Sequence, residues 1–122
     1  MPLYPSNDRI ISTVSIANGE SVSAAVDLEE RSLLALIMPA AWTAAALTVE
    51  VSHDGTTWIG IVYDSLGVQA NVIASPAVST AYTLDALGLL PYRYMRLRSG
   101  TTASAVNQLG ARSITAITPP LA

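Results

Sequence analysis

One strand–turn–strand pattern in the middle of the chain limits its fold more than any other feature. Residues 47–52 alternate apolar and polar side chains, as a strand with one core-facing side does. The pair Asp54–Gly55 follows, and such pairs favour tight hairpin turns because glycine adopts a positive φ without steric cost. Residues 57–63 then form a second strand-like run. The pattern predicts an antiparallel hairpin inside a β-protein.

The rest of the chain contains further short strand-like runs. Turn signals recur about every eight to twelve residues, which is typical of sandwiches and barrels. Residues 31–38 are apolar on both faces and predict a central strand covered on both sides, although their Leu, Ala and Met also favour a helix. Residues 39–46 fit either a loop or a single helical turn. We therefore predict an all-β fold, a jelly-roll-like β-sandwich of about eight antiparallel strands. The predicted strands are 9–16, 21–28, 31–38, 47–52, 57–63, 68–73, 80–84, 92–99 and 112–118.

The length of 122 residues predicts one domain. Residues 1–9 carry two prolines and little periodicity, and they predict an extended N-terminal arm or a disordered tail. Residues 10–118 are expected to form the sandwich, and residues 119–122 a C-terminal tail. The first residues lack the pattern of a signal peptide, and no apolar run reaches the ~18 residues of a membrane span. We expect synthesis in the cytoplasm and no membrane partner.

Charged residues are scarce in this sequence. They make up 12% of the chain, and lysine is absent, whereas an average soluble domain has about 25%. Lysine commonly protects exposed sheet edges from pairing with other chains. The deficit favours a protein that is buried in an assembly, although a neutral surface of Thr, Ser, Asn and Gln would also serve a monomer. The net charge of −3 argues against a nucleic-acid partner.

The sequence offers few residues for catalysis or metal binding. Cysteine is absent, and His53 is the single histidine, so triads and zinc sites lack components. Asp54 with Glu50 or Asp64 is a conceivable calcium set, but Asp before Gly is common turn chemistry and no EF-hand pattern is present. We predict no enzymatic activity, no cofactor and no metal.

Four residues are candidates for an interface. The period-two pattern places Tyr94, Arg96 and Arg98 on one face of a strand, with Met95 and Leu97 on the core face. Arginine and tyrosine are enriched at interfaces, but an intrachain pair of Arg96 with Glu50 or Asp64 would fit equally well. The fourth candidate is Trp42, which either plugs one end of the sandwich or anchors a partner. Trp58, beside two isoleucines, is expected in the core.

Two parts of the chain resemble discoidin-type, galactose-binding-like jelly rolls. Residues 49–61, VEVSHDGTTWIGI, contain the Ser-x-Asp-Gly-x-x-Trp turn of those domains, and residues 93–97, RYMRL, are similar to one of their later strands. About 25 residues carry this likeness. It implies a carbohydrate-binding module as the alternative function.

A second resemblance spans most of residues 14–118. The segments VSIANGES, LIMPAAWT, VSHDGTTW and RLRSG, at 14–21, 36–43, 51–58 and 96–100, resemble small proteins encoded among the head genes of tailed bacteriophages. The resemblance implies a capsid cement or decoration protein on the outer capsid surface of the virion. Its expected partners are the major capsid protein and sister copies in a homotrimer. Tail, fibre and head-completion proteins are further possibilities.

Overall fold

The computed structural model describes residues 10–29, 31, 33, 35–63, 66–84 and 92–118. This part of the chain contains eight strands, and it contains no helix that could cross a membrane. The predicted arm 1–9, tail 119–122, loop 85–91 and part of the turn after Tyr63 lie outside these residues. The strands are β1 Ile10–Ile16, β2 Val26–Asp27, β3 Ala35–Ile37, β4 Leu47–Ser52, β5 Val72–Ile73, β6 Ala81–Thr83, β7 Tyr94–Ser99 and β8 Arg112–Thr118.

The strands form two four-stranded sheets. The first has the order β1-β8-β3-β6 and the second β2-β7-β4-β5, and every pair is antiparallel. The chain passes from one sheet to the other at every connection except that between β4 and β5, and it places β8 beside β1; this is the order of an eight-stranded jelly roll. The predicted all-β, jelly-roll-like sandwich of antiparallel strands is therefore confirmed.

The core lies between the two sheets and is filled from alternate positions of the long strands. Along β7 the side chains alternate between half-buried and buried, so that Met95 and Leu97 face the core as predicted. From the opposite sheet, Ile16 and Ile114 pack into the same cluster. Half-buried aromatic side chains close its borders, among them Trp42, Tyr82 and Tyr92.

Strand β3 corrects one expectation. It lies inside its sheet, between β6 and β8, as predicted, and Leu36 and Met38 are buried. The prediction of apolar cover on both faces was wrong at Ile37, which remains 37% exposed on the outer face. Large hydrophobic residues are common on the solvent side of a sheet, so an apolar residue in a strand does not require a covering layer on that side.

Several predicted strands are much shorter than expected, among them 68–73, of which only Val72–Ile73 forms a strand. The run 21–28 forms a bridge at Val22 and the two-residue β2, and residues 57–63 form only bridges, at Ile59 and Tyr63. Residues 39–46, for which a loop and a helical turn were both considered, form a loop. In these segments the chain is held by side-chain contacts and single backbone hydrogen bonds, and not by a continuous strand ladder.

The packing predicts the cost of a cavity at the centre of the core. Leu36→Ala removes a fully buried side chain and should lower the free energy of unfolding by about 2–5 kcal/mol. Leu109→Ala is the matched control, because Leu109 is 80% exposed and should change stability by no more than about 0.5 kcal/mol. Urea denaturation of both variants measures the difference, and equal losses would contradict the assignment of this core.

Candidate interaction site on the outer face of the second sheet

The pairing of β4 with β7 brings the polar side chains of both strands to one face. In this register Glu50 lies opposite Arg96, and Thr48 lies opposite Arg98. Cross-strand neighbours on the same face have Cβ atoms about 4.5–5.5 Å apart, so long side chains can reach each other. The outer face of the second sheet therefore carries a set of charged groups at its centre.

The most unusual member of this face is the buried carboxylate of Glu50. Its side chain is only 3% exposed. The Nε of Arg96 donates to Oε1 at 2.6 Å, and the Nε of Arg98 donates to Oε2 at 2.7 Å. Thr102 adds a longer hydrogen bond to Oε2 at 3.4 Å. We refer to Glu50, Arg96, Arg98, Thr102 and the adjoining Trp58 as the Glu50 cluster.

The electrostatics of the Glu50 cluster favour an ionised carboxylate near neutral pH. Burial alone would raise the pKa of Glu50, but the hydrogen bonds from Arg98 and Arg96 outweigh this effect and lower the pKa below its usual value. A carboxylate held in this way is a poor proton acceptor near neutral pH. One carboxylate against two guanidinium groups leaves one net positive charge in the cluster. Its chemistry is that of an anchor between two strands.

A loop closes over this cluster. The guanidinium of Arg96 lies 4.5 Å from the centre of the Trp58 ring, a cation–π contact. Gly60 passes so close that a Cβ there would collide with Thr102 and lie 3.2 Å from Oε2 of Glu50. Asn71 holds the same loop, since its Nδ2 donates to the carbonyl oxygens of Val49 and Gly60. The loop, the cluster and β4 are thus fixed against one another.

The turn before Trp58 is held by its own polar groups. Oδ1 of Asp54 accepts hydrogen bonds from the backbone N–H of Thr57 at 2.8 Å and of Thr56 at 2.9 Å, and these bonds strongly lower the pKa of Asp54. Gly55 has a φ of 81°, as expected for this turn. The side chain of His53 is 76% exposed beside Asp54. Both residues thus stand at the tip of the predicted turn.

The structure brings the predicted strip of β7 together on the outer face, where its two arginines bind a carboxylate of their own chain. Arg96 and Arg98 share the carboxylate of Glu50, so the intrachain pair that was one of the two alternatives for Arg96 is present. Tyr94 is half-buried, with its ring 3.5 Å from where a Cβ of Gly55 would be. An intermolecular role for Tyr94, Arg96 and Arg98 stays a prediction.

The two tryptophans occupy different environments from each other. Trp42 packs against the border of the core and its Nε1 donates to the carbonyl of Ala45 at 3.1 Å, which is the geometry of the plug considered above. Its role as an interface anchor stays a prediction. The expectation that Trp58 lies in the core was wrong: its ring covers Arg96 on the outer face, and the neighbouring Ile59 and Ile61 are 45% and 54% exposed.

Sequence reasoning missed a second buried polar group. Gln108 is fully buried; its Oε1 accepts from the Thr43 N–H at 2.8 Å, and its Nε2 donates to Ser99 Oγ at 2.7 Å. Arg112 donates to the same Oε1 at 3.0 Å. Gln108 therefore ties the loop after β3 to the loop before β8. The residues around Gln108 are mostly small or polar, and nothing in their pattern indicates a buried side chain.

Near the Glu50 cluster the described surface has a small groove. A groove of about 210 Å³ lies beside Gly60 and Thr102, and Thr48 and Gln69 contribute to its wall. Typical small-molecule sites hold about 300–1,000 Å³, so this groove is small for a ligand site. Among the described residues, no group of three or more His, Asp or Glu side chains is arranged to hold a metal ion.

Removing the buried charge should destabilise the fold. Glu50→Gln leaves two guanidinium groups without their carboxylate, and the free energy of unfolding should fall by about 3 kcal/mol. This loss lies at the lower end of the range for a broken buried ion pair, because Arg96 and Arg98 are 23% and 19% exposed and water can reach their charges. The matched control is Asp27→Asn, which breaks the exposed pair with Arg93 and should change stability far less. A loss for Glu50→Gln no larger than that of the control would contradict the anchoring role.

The same carboxylate predicts a pH dependence of stability. Because the folded pKa of Glu50 lies below its ordinary value of 4.5, its contribution is fully present above that value and is lost as the pH falls through the folded pKa. The stability gap between the wild type and Glu50→Gln should hold from pH 7 to about pH 5.5 and narrow below about pH 4. Denaturant titrations across this interval measure the gap, and a gap that persists undiminished at pH 3 would show that ionisation is not its cause.

Comparison with known proteins bears on the fold. No family model and no curated protein matches the sequence. Among solved structures, the chain is similar to the crystal structure of the SPBc2 prophage-derived protein YomS, with a TM-score of 0.50 and 10% sequence identity. The alignment covers 89% of this chain and 94% of that chain. At this identity the likeness concerns the fold, and it extends over nearly the whole of both chains.

Proposed function

We propose that this chain is a non-enzymatic structural protein of a bacteriophage virion. The observation that carries the proposal is a stretch of exposed large hydrophobic residues in the loop between β4 and β5. We call it the apolar stretch. Its members are Ile59, Ile61, Tyr63, Leu66 and Val68, with exposed fractions of 45%, 54%, 60%, 86% and 59%. Exposed apolar surface concentrated in one segment is typical of a surface that contacts other proteins.

The distribution of charge supports the same proposal. All five arginines of the described residues bind groups of their own chain: Arg31, Arg93, Arg96, Arg98 and Arg112. Three of them, Arg93, Arg96 and Arg98, pair with carboxylates of the same chain, so contacts with other molecules depend more on apolar surface and backbone groups. A buried apolar interface gains roughly 25 cal/mol per Å², less the cost of association. Repeated copies on a lattice would add avidity to weak single contacts.

The similarity to a prophage-derived protein covers nearly the whole of both chains, and it supports a phage origin. Within this class we propose the role of a capsid cement or decoration protein, which binds the major capsid protein on the outer surface of the head. Sister copies would bind as a homotrimer, as the resemblance to phage head proteins implies. A tail, fibre or head-completion role is the alternative within the same class.

Particle purification tests this function. Heads and tails are separated on density gradients from cells that produce the phage encoding this chain. We expect the chain in the head fraction in stoichiometric amount. Its presence only in the tail fraction would favour the tail alternative, and its absence from both would overturn the virion assignment. A glycan array provides a parallel test, because specific binding of a sugar would favour the discoidin-type alternative.

The apolar stretch should carry the contact with the particle. The double variant Ile61→Ser/Tyr63→Ser removes two exposed side chains and should weaken binding to particles that lack the chain at least tenfold, while melting temperature changes little. Leu109→Ser is the matched control, because Leu109 is 80% exposed elsewhere on the surface. Cosedimentation with such particles measures the affinity. Equal binding of both variants would remove the apolar stretch from the interface.

A further inference from the structure

Strand β1 forms one border of the first sheet. All seven of its residues, Ile10–Ile16, pair with β8, and in the described part of the chain no strand pairs with its other side. Alternate backbone N–H and C=O groups of an edge strand point away from its partner. The opposite border of this sheet, β6, has only three residues. β1 is therefore the longest edge among the described strands.

The usual devices that protect an edge are missing from β1. Its sequence, IISTVSI, contains no charged residue and no proline. Its register with β8 runs without interruption from Ile10 to Ile16, so no bulge bends it away. The residues are mostly β-branched, which favours extended pairing. Such an edge is a template for an additional strand.

We propose that β1 pairs with β1 of a second copy of this chain, antiparallel and around a two-fold axis at Thr13. Full overlap of two seven-residue strands places Thr13 opposite Thr13 and Ile10 opposite Ile16 of the second copy. Even-numbered residues then stay on the core side of both copies, so two four-stranded sheets become one of eight strands. A second copy fits because neither strand carries charge, so their approach meets no like-charge repulsion.

The exposure of Ile10 and Ile11 agrees with this arrangement. Ile10 shares its side of the strand with buried Val14 and Ile16, yet it is 41% exposed. In the pair, Ile16 of the second copy would lie beside it. Ile11 is 69% exposed on the outer face and would lie beside Ser15 of the second copy. One strand pair buries less than the roughly 1,200–2,000 Å² of a standard interface, so the dimer should depend on concentration.

A two-fold contact restricts the number of copies in solution. The wild type should form a dimer, or a hexamer if the proposed three-fold contact acts as well. This inference does not rest on a virion role, because it concerns the isolated protein. Sedimentation equilibrium from low to high micromolar concentration measures the mass, and a wild type that stays monomeric or stops at a trimer would overturn the proposal.

Charge substitutions at the axis identify the surface. Thr13 is exposed, so Thr13→Lys should leave the fold intact while placing two ammonium groups on the same face across the axis. We expect at least tenfold weaker self-association, and the same for Thr13→Glu. An equimolar mixture of the two variants should recover pairing, because Lys then faces Glu. Failure of the mixture to associate better than either variant alone would overturn the proposed register.

Thr115→Lys provides the matched control. Thr115 lies opposite Thr13 on β8, on the same face but one strand away from the edge. Residues at position 115 of two copies would be about 14 Å apart in the proposed pair, so their charges should interact weakly. This variant should associate as the wild type does. If it associates as weakly as Thr13→Lys, general surface charge would explain the effect, and the edge contact would be rejected.

Discussion

Much of the second sheet depends on one interaction, the pairing of the buried Glu50 carboxylate on β4 with two arginines of β7. Strand β4 is buried on both faces: the inner side belongs to the core, while the outer side carries Thr48, Glu50 and Ser52. Each of these polar groups must therefore find a partner inside the protein. Glu50 finds two guanidinium groups on β7, and this requires the observed register of the two strands and the loop that closes over them.

The sequence predicted the parts of the fold whose side chains alternate regularly. β4, β7 and β8 lie where the pattern placed them, since strict alternation allows only one face to meet the core. The pairing of Arg96 with Glu50 was one of two possibilities, because an acid and a base on the polar faces of adjacent strands are natural partners. That Arg98 shares the same carboxylate depends on strand adjacency, which alternation alone does not determine.

Other features could not be predicted because they depend on which residues face each other across the sandwich. Trp58 was expected in the core on account of its apolar neighbours, but its ring lies over the half-buried guanidinium of Arg96 and gains a cation–π contact there. Gln108 and Asn71 are buried where loops meet, and their side-chain amides donate to and accept from backbone groups of those loops. Such requirements arise between distant segments and have no local signature.

The internal use of charge explains the character of the surface. Only 12% of the residues are charged, and two of the arginines pair with one buried glutamate. Few charged side chains therefore remain on the surface to repel neighbouring molecules. The apolar stretch and the uncharged edge strand are the two surfaces that we propose for association. The proposed contacts use β1 and exposed side chains of the β4–β5 loop, whereas the stability of the fold depends on the core and on the Glu50 cluster, to which Trp58 of the same loop belongs.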